Sequence, residues 1–483
     1  MIDFLETLLS EFKNCFSRKA TYKWFIVVIM GLLNRTDKLG VTSFIRSLSL
    51  NPKCYESLIN FFKSDAYTLS SIKKTWCSLV SRNKKLVTVN GANVLLGDGL
   101  KASKEGKHMP GVCKLFQESE NVSKSPYTFG HMFGGLSAVI GNSEAYFSVP
   151  VSMDIHHGLD ACADWDEDLS YRRTSHVVRM IENGYEAAMT MGKSILVLDR
   201  YFMTVPAFTR LQELNKEKKL LDIVTRAKNN CIAYEEPEAS SEKKKGRPRK
   251  KGNSLKLKDL FETRKGDFIK GKAMQYGTSE EVSYLCLDLL WGAKFYQKFR
   301  FVLVVSHRGN AILVSTDLSL DPIKIIECYA MRFSIESCFR ELKHQLGGFY
   351  YRFWTSSLPK LNRFKKRTET DNLSKVTDDK ARSRVITTVG ATERFVLFSC
   401  IAIGLTHMIS MDETLSKEVD GHRYLRTKAR KKISEATVLD YIRGNFFRLL
   451  LLSPESEITQ IILERQRPDF NEKTADESEK TIE

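Results

Sequence analysis

Two short apolar runs that stop on an aspartate constrain this chain more than any other feature. Ser194–Leu198 reads Ser-Ile-Leu-Val-Leu and ends at Asp199, while Leu95-Leu96-Gly97 ends at Asp98 and Gly99. An unbroken apolar run of this length is how a strand buried on both faces reads, and such strands need helices to cover them. The flanking periodicity predicts those helices at about 170–191 and 207–218, with a further strand at 220–226. Upstream, Leu86–Leu96 has strand character around the Asn90-Gly91 turn, and 134–140 and 145–153 are strand candidates joined at Gly141-Asn142. The order is strand–strand–strand–helix–strand–helix–strand, an α/β chain with acids at the ends of two buried strands.

Residues 1–85 have a different texture. Phe4, Leu5, Leu8, Leu9, Phe12 and Phe16 recur at helical spacing, and apolar runs follow at 22–33, 41–49 and 55–63. They predict a bundle of four or five helices. The longest apolar run, Trp24–Leu33, falls short of the ~20 residues a bilayer needs. The whole chain has 483 residues, enough for two or three domains. Its 75 Lys and Arg against 58 Asp and Glu leave +17, and nucleic acid is the commonest partner of so basic a surface. Ten scattered cysteines, none in a CxxC pair, predict reduced thiols in the cytoplasm and argue against a disulfide frame or a zinc site.

Residues 243–272 hold thirteen Lys and Arg against three Asp and Glu. Within them Lys244–Lys251 centres Arg247 and Arg249 on a Gly-Arg-Pro-Arg core like that of a minor-groove hook, where inserted arginine meets enhanced negative potential. A flexible charged linker reads the same way. Strand signals resume at 282–290, 299–306 and 311–315, before one long helix from Pro322 to about Gly347. A second basic stretch, 355–385, precedes an apolar helix at Thr388–Met411, and 466–483 is an acidic tail expected to be disordered.

The long helix is the most informative segment. Tyr329, Arg332, Glu336 and Lys343 lie at offsets of 0, 3, 7 and 14, which at about 100° per residue share one face. Taken alone, such a stripe is an ordinary solvated face. Together with two acids at strand ends, it offers three carboxylates from a sheet and a crossing helix. Carboxylates so placed can hold two divalent cations ~3.5–4 Å apart for phosphodiester chemistry, and oxygen donors favour hard ions such as Mg²⁺.

Tyr329-Ala-Met-Arg332-Phe-Ser-Ile-Glu336-Ser-Cys-Phe-Arg-Glu-Leu-Lys343 resembles the Y-x2-R-x3-E-x6-K signature of the DDE transposases of bacterial insertion sequences, the insertion-sequence-four family. Leu95–Gly99 resembles that family's first-aspartate strand and Leu196–Phe202 its second, although Arg200 stands where many members carry a small residue. The resemblance covers about residues 90–410. It implies an RNase H-like catalytic core, a mixed five-stranded sheet with flanking helices, interrupted by a mostly β insertion and preceded by an all-helical domain. The implied divisions are a DNA-binding or dimerisation region at 1–85, core at 86–227, basic β-rich insertion at 228–320, core and signature helix at 321–412, and a helical region at 413–465.

The same resemblance implies a function. Asp98, Asp199 and Glu336 would be catalytic metal ligands for two Mg²⁺ ions, with Mn²⁺ as a substitute. Tyr329, Arg332 and Lys343 would serve DNA phosphates, and Trp291 would stack on an extruded base, as an indole can on any base. Packing in a core is the competing reading of Trp291. Lys101, Lys104 and Lys107 would hold phosphates near the metals or simply be solvated. The partners implied are double-stranded DNA, as terminal inverted repeats and as target, and a second copy of the chain on that DNA. The location implied is the bacterial nucleoid. A resolvase-like nuclease without strand transfer and a DNA-binding derivative without catalysis remain the alternatives. His156, His157, Asp160 and Asp164 resemble metal ligands in type but lack ligand spacing.

Overall fold

A computed structural model describes residues 1–117, 125–237, 249–364, 371–426 and 432–467. Arg247 and the tail from 468 onward lie outside the described residues. Five helices open the chain: α1 (Ile2–Ser10), α2 (Lys19–Asn34), α3 (Thr42–Ser47), α4 (Cys54–Lys63) and α5 (Leu69–Ser81). Strands β1 (Thr88–Val89), β2 (Ala92–Ser103), β3 (Cys113–Phe116), β4 (Tyr127–Gly141) and β5 (Tyr146–Ile155) follow. Then come α6 (His176–Met191), β6 (Ser194–Val197), α7 (Val205–Asn215) and β7 (Leu221–Arg226).

The next stretch carries β8 (Ile232–Tyr234), β9 (Ser254–Lys256), the single turn α8 (Leu260–Thr263), β10 (Ile269–Gln275), β11 (Thr278–Trp291), β12 (Gln297–Ser306) and β13 (Gly309–Ser315). The chain then turns helical: α9 (Pro322–Met331), α10 (Phe333–His344), α11 (Asp379–Met411), α12 (Glu413–Val419), α13 (Glu435–Leu451) and α14 (Glu457–Leu463).

The fold is mixed α/β. Across the first half of the sheet the strands run β5-β4-β2-β6-β7. Only β2-β6 and β6-β7 are parallel, each linked through a crossover that contains a helix, as parallel neighbours require. The remaining pairs are antiparallel. On the far side of β7 the sheet continues as β13-β12-β11-β8-β9. Leu313 pairs with Arg226 and Ser315 with Val224, so the stretch expected as an insertion at 228–320 shares the sheet of the preceding strands. This pairing satisfies the backbone edge that β7 would otherwise expose.

The N-terminal helices are not a free-standing bundle. In α2 the side chains of Tyr22 and of nearly every apolar residue from Phe25 to Leu33 are buried, leaving no solvent face. A helix apolar all round must be enclosed. α11, α13 and α14 enclose it, with Phe25 packed edge-on to Phe398 at 5.4 Å. α11 is long and apolar enough to cross a bilayer by length and composition, yet it is buried against α2, α4, α5 and β5. No two of the ten cysteines, all within the described residues, are joined in a disulfide.

Beside β5 lies a buried knot of charge. Lys73 of α5 meets Asp154 at 2.5 Å, and Arg172 grips Glu393 of α11 with two bonds of 2.8 Å. Burial opposes the charge of both acids, but Lys73 and Arg172 hold their carboxyls below the ordinary range. Both carboxylates there have a cationic partner. This is the arrangement in which buried ions are tolerated.

Candidate active site

Asp98 does not end its strand, as the apolar run suggested. β2 continues to Ser103 because β4 pairs with it throughout, from Leu95 opposite Ala138 to Ser103 opposite Gly130. The parallel neighbour β6 stops at Val197, opposite Leu96. Asp98 and Asp199 therefore stand side by side, just beyond the end of the parallel ladder. Asp199 caps the turn that follows it, accepting from Tyr201 N at 2.8 Å, and its carbonyl accepts from Thr225 Oγ1 at 2.8 Å. Thr225 on β7 thus fixes the loop.

Glu336 comes from α10, which crosses β2 and β5. The crossing is close because β4 carries glycine beneath it: a Cβ at Gly135 would lie 2.6 Å from the Phe339 ring. The single long helix expected at 322–347 is two helices, α9 and α10, with Arg332 at the junction. Arg332 keeps helical dihedrals, but hydrogen bonding tightens to three-residue steps there, Arg332 N to Tyr329 O and Ile335 N to Arg332 O. Short tight turns of this kind inside helices often mark functional positions.

The Arg332 guanidinium donates to Asp98 Oδ2 at 3.0 Å and to Glu336 Oε1, tying sheet to helix. Burial works against its charge, yet Asp98 and Glu336 hold it above its ordinary value. Asp98 is pushed up to about 6, first by burial and then by Asp199 and Glu336, with Arg332 acting in opposition. Tyr329, half-buried on α9, is raised mainly by burial and lies in the field of Arg332 and Asp199. Asp98, Asp199, Glu336, Tyr329 and Arg332 are thus brought together.

The other residues singled out by the sequence stand elsewhere. Lys343 is exposed near the end of α10, facing a groove shared with Lys101 and Lys104. Lys101 donates to the Phe116 carbonyl at 2.6 Å. Lys104 is no solvated loop lysine: its amine bonds the Phe349 carbonyl and lies 3.6 Å over the Tyr351 ring. Burial, with Arg352 nearby, pushes that amine down to about 7. Trp291 closes β11 half-buried, with Phe208 and Phe299 edge-on at 5.7 and 5.9 Å. Arg249 is exposed at the β9 end of the sheet order, while Lys251 lies over the Tyr234 ring.

Sequence reasoning missed His176, the first residue of α6. A Cβ on Gly99 would sit 3.0 Å from its Nε2. His176 Nδ1 meets His156 Nδ1 at 2.8 Å, and His156 Nε2 meets Asn183 Nδ2 at 3.1 Å. The amide can only donate, so His156 accepts at Nε2, donates from Nδ1, and leaves His176 with its proton on Nε2, facing the Asp98 strand. Burial keeps both rings neutral, with His176 down at about 4. The one available signal was His156 at the end of β5, and it suggested a metal ligand.

Three carboxylates fit hard divalent cations in donor chemistry. Among the described residues, no three His, Cys, Asp or Glu side chains are close enough to hold one ion as they stand. Arg332 supplies the positive charge between Asp98 and Glu336. Compared with protein-family models, curated proteins and solved structures, the chain finds no match.

Proposed function

We propose that this chain is a DDE transposase of insertion-sequence type. In this reading it binds terminal inverted repeats, cuts the phosphodiester at each end and joins the freed 3′-OH to target DNA. One observation carries the reading: Asp98 on β2 is tied through Arg332 to Glu336 of a crossing helix, and Asp199 follows the end of the parallel neighbour β6. The strand order β5-β4-β2-β6-β7, parallel only across its last three strands, is the order an RNase H-like core requires and supports the same reading.

Asp98, Asp199 and Glu336 would hold two Mg²⁺ ions, which when bound supply the charge that activates an attacking oxygen and stabilises the leaving one. The chain's own residues do the rest. Arg332 turns from the carboxylates to a DNA phosphate, for which its fork is suited. Tyr329 orients that phosphate from α9. Thr225 keeps the Asp199 loop in place, and the neutral His176 presents a fixed donor to the Gly99 side.

Asp98→Asn, Asp199→Asn and Glu336→Gln test this directly. Each keeps size and loses charge, so Mg²⁺-dependent cleavage of end DNA should fall to background while DNA binding persists. Cleavage retained above roughly a few per cent of wild type would remove that residue from the site. Strand transfer from a pre-cleaved end separates transposase from nuclease, because a nuclease yields no joined product.

A further inference from the structure

Beyond Asp98, β2 and the chain that follows α10 wall a groove of about 840 Å³. Along one wall Phe349, Tyr351 and Phe353 are buried while Tyr350, Arg352 and Trp354 point outward, the period of two of an extended chain. Tyr350 is 44% and Trp354 62% exposed, in a protein where most aromatic rings are packed away. The outward row therefore reads aromatic, cation, aromatic.

This row is firmly mounted. Beneath it the Tyr351 hydroxyl meets His131 Nδ1 at 2.5 Å, and Lys104 props the Tyr351 ring from the floor. Further along, Thr355 N bonds the His108 carbonyl at 3.1 Å and Leu361 N bonds the Lys107 carbonyl at 2.8 Å. Such pre-organisation lowers the ordering cost of binding. Charge points to an anionic occupant: Lys101, Lys107, Lys343 and Arg352 line the groove against one acid, Glu105. Lys343 lies two turns along α10 from Glu336, and Lys101 three residues along β2 from Asp98, so the groove adjoins the carboxylates.

The spacing decides between duplex and single strand. Outward residues on an extended chain repeat every ~6.5–7 Å. Tyr350 and Trp354 stand two such repeats apart, ~13–14 Å, where a duplex would place about four base steps of ~3.4 Å. Bases inside a duplex are stacked on both faces, so only an unstacked strand can offer bases to both rings. We propose that this groove binds an unpaired DNA strand, two of its bases stacked on Tyr350 and Trp354 and a phosphate of the stretch between them held by Arg352. That this strand is the frayed end of an element rests on the function proposed above.

The test uses the full chain with a fluorescent oligothymidylate and a blunt duplex of equal length. The double change Tyr350→Ala with Trp354→Ala should weaken oligothymidylate binding about tenfold or more and leave duplex binding unchanged. Phenylalanine at both positions should restore most of the loss. Arg352→Gln should lower the slope of log affinity against log salt by ~0.7 for the single strand. Both aromatic side chains are exposed, so the melting temperature should not move.

Equal loss on both DNAs, no loss on either, failure of phenylalanine to rescue, or tighter binding of oligouridylate would each overturn the proposal. Oligothymidylate binding without Mg²⁺-dependent cleavage of end DNA would leave the groove standing and remove the transposase reading. Cleavage with no oligothymidylate binding would remove the groove alone.

Discussion

The protein carries two clusters of charge where sheet meets helix, and they are balanced in opposite ways. Around β5, Asp154 and Glu393 face Lys73, Arg172 and Arg179, and both carboxyls are held below their ordinary values. Around β2, Asp98 and Glu336 share Arg332 with Asp199 nearby, and Asp98 is pushed up to about 6. The first cluster is deeply buried yet satisfied. The second is more open, and its Asp98 carboxyl is raised, not lowered. A cluster whose acids are each matched by a cation takes up no further cation and acts as structure, while one that raises a carboxyl gains by taking up a cation.

The largest effect should come from unbalancing the matched cluster. Glu393→Gln leaves Arg172, only 6% exposed, without its counter-charge and should cost ~3–5 kcal/mol in chemical denaturation. Replacing both partners, Arg172→Met with Glu393→Leu, should recover most of that loss. A single change costing less than ~1 kcal/mol would show that the pair carries no structural weight.

The open cluster should respond with the opposite sign. In the presence of chelator, Asp98→Asn should stabilise the protein by ~1–3 kcal/mol above pH 6. The folded carboxyl titrates near 6 and the unfolded one near 3.8, so the native state binds the extra proton between those values and wild type loses stability as pH rises through them. The advantage of the variant should vanish below about pH 4. Melting curves of both proteins from pH 3 to 8 read it, and a variant less stable than wild type at pH 7 would place Asp98 among the matched charges.

Arg332→Gln should have the smallest effect. It removes the one charge opposing the rise of Asp98, so the carboxyl midpoint should move above 6 by an amount worth about 1.4 kcal/mol. Carboxyl carbon chemical shifts followed against pH measure it. An unmoved midpoint would mean that burial alone sets Asp98.

Local pattern made much of this legible. Ser194–Leu198 reads as a buried strand because both faces are covered, and Glu336 and Lys343 share a face because α10 is regular over that interval. Tertiary choices were not legible. The break at Arg332 serves two carboxylates that lie far apart in sequence. β13 joins β7 because an open edge needed a partner, and the alternating pattern of β13 does not name which edge it takes. His176 reads as an ordinary residue behind the Ser175 cap until the fold brings Gly99 and His156 to it.

The enclosure of α2 has a consequence for how the chain is made. Its sixteen residues leave the ribosome early, but α11, the helix that covers them, begins about 345 residues later. At ~5–20 residues per second of synthesis, that interval is on the order of half a minute. Throughout it α2 has α3 and α4 to pack against, and the rest of its apolar surface waits for α11. The first helices therefore cannot reach their final packing as a leading domain, and a chain cut short before α11 would emerge with its most adhesive surface uncovered.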